Sequence, residues 1–298
     1  MNAVKRIVRY CVRNELIWRV LDATVLRVAR YLDWAHGDDE RVRRTSVELA
    51  PRTPTGGRGE SLLSRAFPTS SLTLEVLGGP FAGLKYPARH AVGSELAPKL
   101  LGFYEWELQP IIAACGRRPY ERVVDIGCAE GYYAVGLARC LKSATVYAID
   151  IDPAGLRLCR EMADLNAVTD RVITETACDA QSLVSLVAAG RTLIVSDCEG
   201  FEGDLFTAET VPALARHDLL IECHDFLRPG ITRELRQRFE GTHAVVAVTS
   251  IPDHRKPMLY SSDALAPFTS DERLRLLAEH RPGEMVWLYM TPRHNFSD

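Results

Sequence analysis

The chain has 298 residues, of which 47% are hydrophobic and 25% charged, with a formal net charge of −3. At about 150 residues per domain that length allows one large domain or two small ones. The balance excludes a mainly disordered chain and a disulfide-stapled miniprotein, and it argues against a dedicated nucleic-acid binder. No run of about 18 uncharged apolar residues occurs, so no membrane span is expected.

The charge is uneven. Residues 1–60 hold 12 Lys+Arg against 8 Asp+Glu, and the remainder carries a net −7. The eight cysteines, at 11, 115, 128, 140, 159, 178, 198 and 223, form no CxxC pair. The usual zinc spacings are therefore missing, and reduced thiols in a cytoplasmic protein are expected. The N-terminus lacks the uncharged apolar centre of a signal peptide.

Residues 3–35 read as one long helix. Val4, Ile7, Cys11, Trp18, Leu21, Val25, Val28 and Leu32 form an apolar stripe at spacings of mostly three and four. Arginines and a lysine fall mostly off the stripe. Such a helix is expected to pack on its own domain or on a second subunit as a homodimer contact; a membrane surface is the rival. Prolines and glycines over 36–70 read as a linker. Residues 72–77 alternate like a strand, Gly78-Gly79-Pro80 turns the chain, and 84–86 returns as a second short strand. Residues 103–115 read as a helix closed by Gly116. The expected organisation is an N-terminal helix and linker over 1–70, a hairpin and helix capping the site over 71–118, and a core over 119–298.

After residue 120 five short apolar strands, 122–126, 145–149, 172–175, 192–196 and 218–222, alternate with helical segments at 132–141, 154–166, 180–189 and 205–215. Near-continuous apolar strands spaced by helices indicate a parallel α/β sheet covered on both faces. Two further strands, 243–249 and 285–290, are expected as an antiparallel edge pair. The segment 251–283 between them holds a short helix near 271–279 and is positioned to roof a substrate, with His254, Arg255 and Lys256 as a cationic lip.

In an open parallel sheet, ligands bind beyond the carboxyl ends of the strands, at the topological switch point. The residues ending these strands are Asp125, Asp150, Asp179 after the third strand, Asp197, and Glu222 with His224. Acids repeated along one edge have no structural reason to be there, because desolvation penalises them. Glycines at 127 and 131 frame the first turn and favour close approach of a ligand to the backbone. The turn lacks GxGxxG and GK[ST], and Glu130 in the first helical turn would repel a phosphate. Each acid also has a plain reading: Asp150 as a solvated strand-end acid, Asp125 as a turn cap, Asp179 as an ordinary loop residue.

Asp125-Ile126-Gly127-Cys128-Ala129-Glu130-Gly131 resembles motif I of class I S-adenosylmethionine-dependent methyltransferases. Tyr147-Ala148-Ile149-Asp150-Ile151-Asp152-Pro153 resembles the second strand of that family and the turn after it. The resemblance covers roughly 120–225. It implies a Rossmann-like core of seven strands and S-adenosylmethionine as cofactor. Implied cofactor contacts are Asp125, Gly127, Cys128, Gly131, Asp150 and Ile151 (Asp150 on the ribose hydroxyls), with Asp179 and Ala180 at the adenine edge. The stretch 99–105 resembles one that closes over the cofactor in many methyltransferases, which adds Tyr104 and Glu105.

Ser196-Asp197-Cys198-Glu199-Gly200-Phe201-Glu202 is similar to the Asp-Val-Glu-Gly-X-Glu signature of FkbM-type methyltransferases, with Cys198 in place of Val. Leu220-Ile221-Glu222-Cys223-His224 resembles the Glu-X-His ending the next strand of that group. This narrower resemblance implies methylation of a hydroxyl on a sugar or natural product. The expected catalytic residues are His224, Asp197 and Glu199, with His224 as general base at an ordinary imidazole pKa near 6.5. Asp197, Glu199, Glu222, His224 and Asp225 could also assemble a divalent-cation site, although a metal is not expected. The expected activity is O-methylation of a small-molecule acceptor; the alternatives are N-methylation or a non-catalytic cofactor-binding scaffold subunit.

Overall fold

The computed structural model describes residues 59–67, 74–87 and 89–293. The helix expected over 3–35, most of its linker and any dimer contact built on it lie outside the described residues. The description begins with helix α1, Gly59–Ala66, and a two-stranded antiparallel hairpin of β1, Leu74–Glu75, and β2, Lys85–Tyr86.

The expected helix over 103–115 is broken. Helix α2 spans Leu96–Leu101 and stops at Gly102 (φ 80°). Glu105 follows in the left-handed region (φ 45°), then a single 3₁₀ turn, Trp106–Leu108, and helix α3, Gln109–Cys115. Pro110 lies in the first turn of α3. It lacks the N–H a continuous helix would need, so it starts this one instead.

The core then alternates β3 (Arg122–Ile126), α4 (Tyr132–Cys140), β4 (Thr145–Ile149), α5 (Pro153–Leu165), β5 (Val172–Glu175), α6 (Ala180–Val187) and β6 (Thr192–Ser196). Two short helices follow, α7 (Glu202–Leu205) and α8 (Val211–Leu214), where one helix was expected; Pro212 lies in the first turn of α8 and starts it. Strand β7 (Asp218–Cys223), helix α9 (Ile231–Phe239) and strand β8 (His243–Thr249) come next. Helices α10 (Lys256–Leu259) and α11 (Ser270–Leu277) lead to strand β9 (Val286–Pro292).

The sheet order is β5-β4-β3-β6-β7-β9-β8. Strands β3 to β7 are parallel, and β9 runs antiparallel between β7 and β8. The near-continuous apolar strands are explained by burial on both faces. Val123, Val146, Leu193 and Leu220 face one core, and Val124, Ile149, Ile194 and Ile221 face the other. The first core also holds Val76, Phe81, Leu84, Tyr86 and Leu100, so the hairpin and α2 are packed onto the sheet's helical layer. A Cβ at Gly136 would lie 2.7 Å from the Phe81 ring, which is the steric reason for glycine inside α4.

Caps fix where the helices begin above the site. Asp152 accepts the N–H of Ala154 at 3.0 Å to start α5, and Asp179 accepts that of Ser182 at 2.7 Å to start α6. At the opposite sheet edge, wholly buried Asp218 is held by Arg118 and Tyr120. Among the described residues no helix is long and apolar enough to cross a membrane.

Candidate active site

Chain order reverses around β3, whose neighbours are β4 and β6. The acids at the ends of these strands therefore converge on one crevice. Gly127 (φ 84°) sits at its floor. A Cβ there would come within 1.7 Å of the Asp197 carbonyl oxygen. The sequence suggests a glycine kept open for a ligand; the space its side chain would take is instead filled by the loop after β6. Gly131 (φ 96°) is likewise closed in, by Cys159 and Val135.

Asp125 is 2% exposed, and its Oδ2 has no hydrogen-bond partner. Burial, then the charge of Asp197, pushes its carboxyl up to about 8, against a hydrogen bond from the Ala134 backbone. Asp150 is also buried. Its Oδ2 accepts the N–H of Ala129 at 2.8 Å and its Oδ1 that of Asp152 at 2.7 Å. This acid thus shapes the loop 127–131 besides lining the crevice. Cys128 is buried and Ile151 half-buried. Asp179 is exposed, and its cap on α6 lowers its carboxyl below the ordinary value, with Ala180 just behind it.

Glu130, read from sequence only as a phosphate repeller, has a structural task. It is 1% exposed and takes Lys99 Nζ at 2.6 Å, the Val92 N–H at 2.9 Å and the Tyr86 hydroxyl at 3.3 Å. The start of α4 is thereby tied to the hairpin and α2. Lys99 also lies over the rings of Tyr104 and Tyr132. Glu105, 1% exposed, takes the Tyr133 hydroxyl and Arg281 Nη2, the latter at 2.5 Å.

The second half of the site is built around His224. Its Nδ1 lies 2.6 Å from wholly buried Glu202. Its Nε2 faces Asp197 at 3.4 Å, Glu199 at 3.5 Å and Glu222 at 3.6 Å. The structure therefore brings together the three residues expected to be catalytic. It changes the expected state of the imidazole. Burial opposes the charged ring, but hydrogen bonds to Asp197 and Glu202 and the charges of Glu202 and Glu222 outweigh it, holding His224 well above its ordinary value. That direction favours the charged ring, in which no nitrogen lone pair is available to accept a proton. His224 is 3% exposed against 27% for Asp197 and 17% for Glu199, so those two carboxylates form the open face of the group. Asp197, Glu199 and His224 each offer one ligand atom within 4.8 Å of the others, a donor set that would suit a hard divalent cation.

Two site residues were missed in sequence. Glu202 was quoted in a motif but given no role, although it orients His224. Arg281 gave no signal, yet it contacts Glu105, Glu222 and Glu279. The expected cationic lip at 254–256 is also different: Lys256 is 1% exposed and paired inward with Asp253 and Glu279.

Residues 111–233 match the family described as the TRM5/TYW2 methyltransferase domain. That match and the strand order indicate a class I S-adenosylmethionine-dependent methyltransferase domain over this stretch. The buried Oδ2 of Asp125, which has no hydrogen-bond partner, fits a cationic ligand group in this crevice. Among solved structures, a SAM-dependent methyltransferase from Geobacter sulfurreducens in complex with S-adenosyl-L-homocysteine is 21% identical. That alignment covers 63% of this chain and 91% of the other, with a TM-score of 0.40. A second such complex, from Thiobacillus denitrificans, is 17% identical over 63% of this chain and 91% of its own, with a TM-score of 0.40. Precorrin-6y C5,15-methyltransferase from Geobacter metallireducens GS-15 is 12% identical over 61% and 89%, with a TM-score of 0.41. No curated protein matches the chain in sequence.

Proposed function

We propose that this methyltransferase alkylates a hydroxyl oxygen of a small-molecule acceptor. The observation that carries the reading is the group of Asp197 and Glu199 held by the His224 imidazolium on the open side of the crevice. The FkbM-type resemblance of 196–202 and 220–224 supports the same choice of a hydroxyl, on a sugar or natural product. When bound, S-adenosylmethionine supplies a methyl group on a sulfonium leaving group. The acceptor oxygen forms the new O–C bond as the S–C bond breaks and its electron pair stays on sulfur. Asp197 receives the hydroxyl proton, leaving a neutral ether and a protonated carboxyl. His224 holds the carboxylates in place, and the protein's main contributions are position and proton removal.

A second reading keeps the same chemistry but places a divalent cation on Asp197, Glu199 and His224, favoured by their convergence within 4.8 Å. One experiment separates these readings. The protein is incubated with S-adenosylmethionine and a panel of hydroxylated and amino acceptors, with and without chelator, and products are identified by mass spectrometry. Methylation on oxygen that survives chelation is the expected result. Loss on chelation with recovery in magnesium assigns the site to a cation. Methylation only on nitrogen overturns the oxygen assignment, and binding without any transfer leaves a scaffold.

A further inference from the structure

Arg281 lies in the connection between α11 and β9, next to His280, whose backbone is left-handed (φ 52°). Its side chain is 14% exposed and each of its nitrogens meets a different carboxylate. Nε donates to Glu279 at 2.9 Å, Nη2 to Glu105 at 2.5 Å, and Nη1 to Glu222 Oε1. The other oxygen of Glu222 lies 3.6 Å from His224 Nε2. Glu279 in turn is ion-paired with Lys256 at 2.7 Å and accepts the Glu105 N–H at 3.2 Å. Asp253 braces the turn by accepting the N–H groups of Glu279 and His280, both at 3.0 Å. One guanidinium therefore joins three segments far apart in sequence: the left-handed turn at 105, the end of β7, and the roof over 251–283.

We propose that Arg281 is a positioning residue of the methyltransferase site, setting where Glu222 stands against His224 and where the turn carrying Tyr104 and Glu105 stands against the crevice. It need not touch the reacting atoms. A planar fork of fixed donors can hold three carboxylates in one geometry; a lysine ammonium supplies the charge but not the fork. The assignment of Arg281 to catalysis rests on the reading of methyl transfer, whereas its control of the two segments does not.

The test uses the full chain with Arg281→Lys and Arg281→Met. Backbone amide exchange at 103–107 and 222–225 should quicken by about tenfold in Arg281→Met, with less change in Arg281→Lys and none at the β4–β5 edge. Turnover should fall by about 10²-fold in Arg281→Met while the Kd for S-adenosylmethionine stays within about threefold, and Arg281→Lys should recover part of the turnover. Exchange unchanged in both variants overturns the proposal. Turnover that falls only in step with cofactor affinity or with loss of folded protein overturns it too. If Arg281→Met does not fold, Arg281→Lys decides: unchanged exchange and turnover there contradict the need for a fork. If the unmodified protein transfers no methyl group, the functional reading fails, and the exchange arm still decides what Arg281 controls.

Discussion

Asp197→Asn is expected to lower turnover by about 10²–10⁴-fold while leaving cofactor affinity nearly intact. Asp197 follows directly on β6 at the switch point, and its backbone carbonyl is packed against Gly127. Its carboxylate lies 3.4 Å from His224 Nε2 and is the more open of the two carboxylates on the exposed face. The substitution keeps the shape and removes the ability to hold a proton. Glu199→Gln should cost less, because it leaves Asp197 as acceptor. Asp197→Asn with full turnover and His224→Gln without it would return the base role to His224. Full turnover in Asp197→Asn would remove Asp197 from the chemistry.

Asp150→Ala is expected to weaken binding of S-adenosylmethionine by about 10–150-fold, the equivalent of one charged hydrogen bond of roughly 1.5–3 kcal/mol. The structure adds a second consequence. Both oxygens of Asp150 already hold backbone N–H groups, of Ala129 and Asp152. Removing them strands two buried or half-buried donors at about 1–3 kcal/mol each, so thermal stability should fall as well. Asp150→Asn separates the effects. It keeps one carbonyl acceptor, should recover much of the stability, and should still bind the cofactor less tightly than the unmodified protein. Calorimetry and a melting curve on the two variants read both. Unchanged affinity in Asp150→Ala would take this acid out of the cofactor site.

The acids along the sheet edge were legible in sequence because parallel strands announce themselves by continuous apolar runs, and whatever ends each run lies at the ligand edge. Asp125, Asp150 and Asp197 follow from that rule alone. The state of His224 was not legible. The ring is held up by Asp197 and by Glu202, 22 residues upstream, and no local pattern shows that Glu202 and His224 meet. Arg281 was invisible for the same reason on a larger scale, since Glu105 lies 176 residues away. The structural task of Glu130 was not legible because its partners Lys99 and Val92 lie 31 and 38 residues earlier. The broken helix over 103–115 could have been found: Pro110 stands where an interior N–H would be required.

Calorimetric titration at neutral pH should show whether the crevice between β3, β4 and β6 binds S-adenosylmethionine through its acids. In the free protein burial, then the charge of Asp197, pushes the Asp125 carboxyl up to about 8, which favours its protonated form at pH 7. The unfolded carboxyl would ionise near the ordinary value, so the free protein loses stability from this group as pH rises from about 4 to about 8. A bound cationic ligand lowers the carboxyl again, and the complex then holds fewer protons than the free protein. Binding should therefore strengthen as pH rises towards 8 and level off above it. Repeating the titration in buffers of different ionisation enthalpy should show one site per chain and a net release of protons, reduced in Asp125→Asn. Absence of binding to both S-adenosylmethionine and S-adenosylhomocysteine would contradict the account.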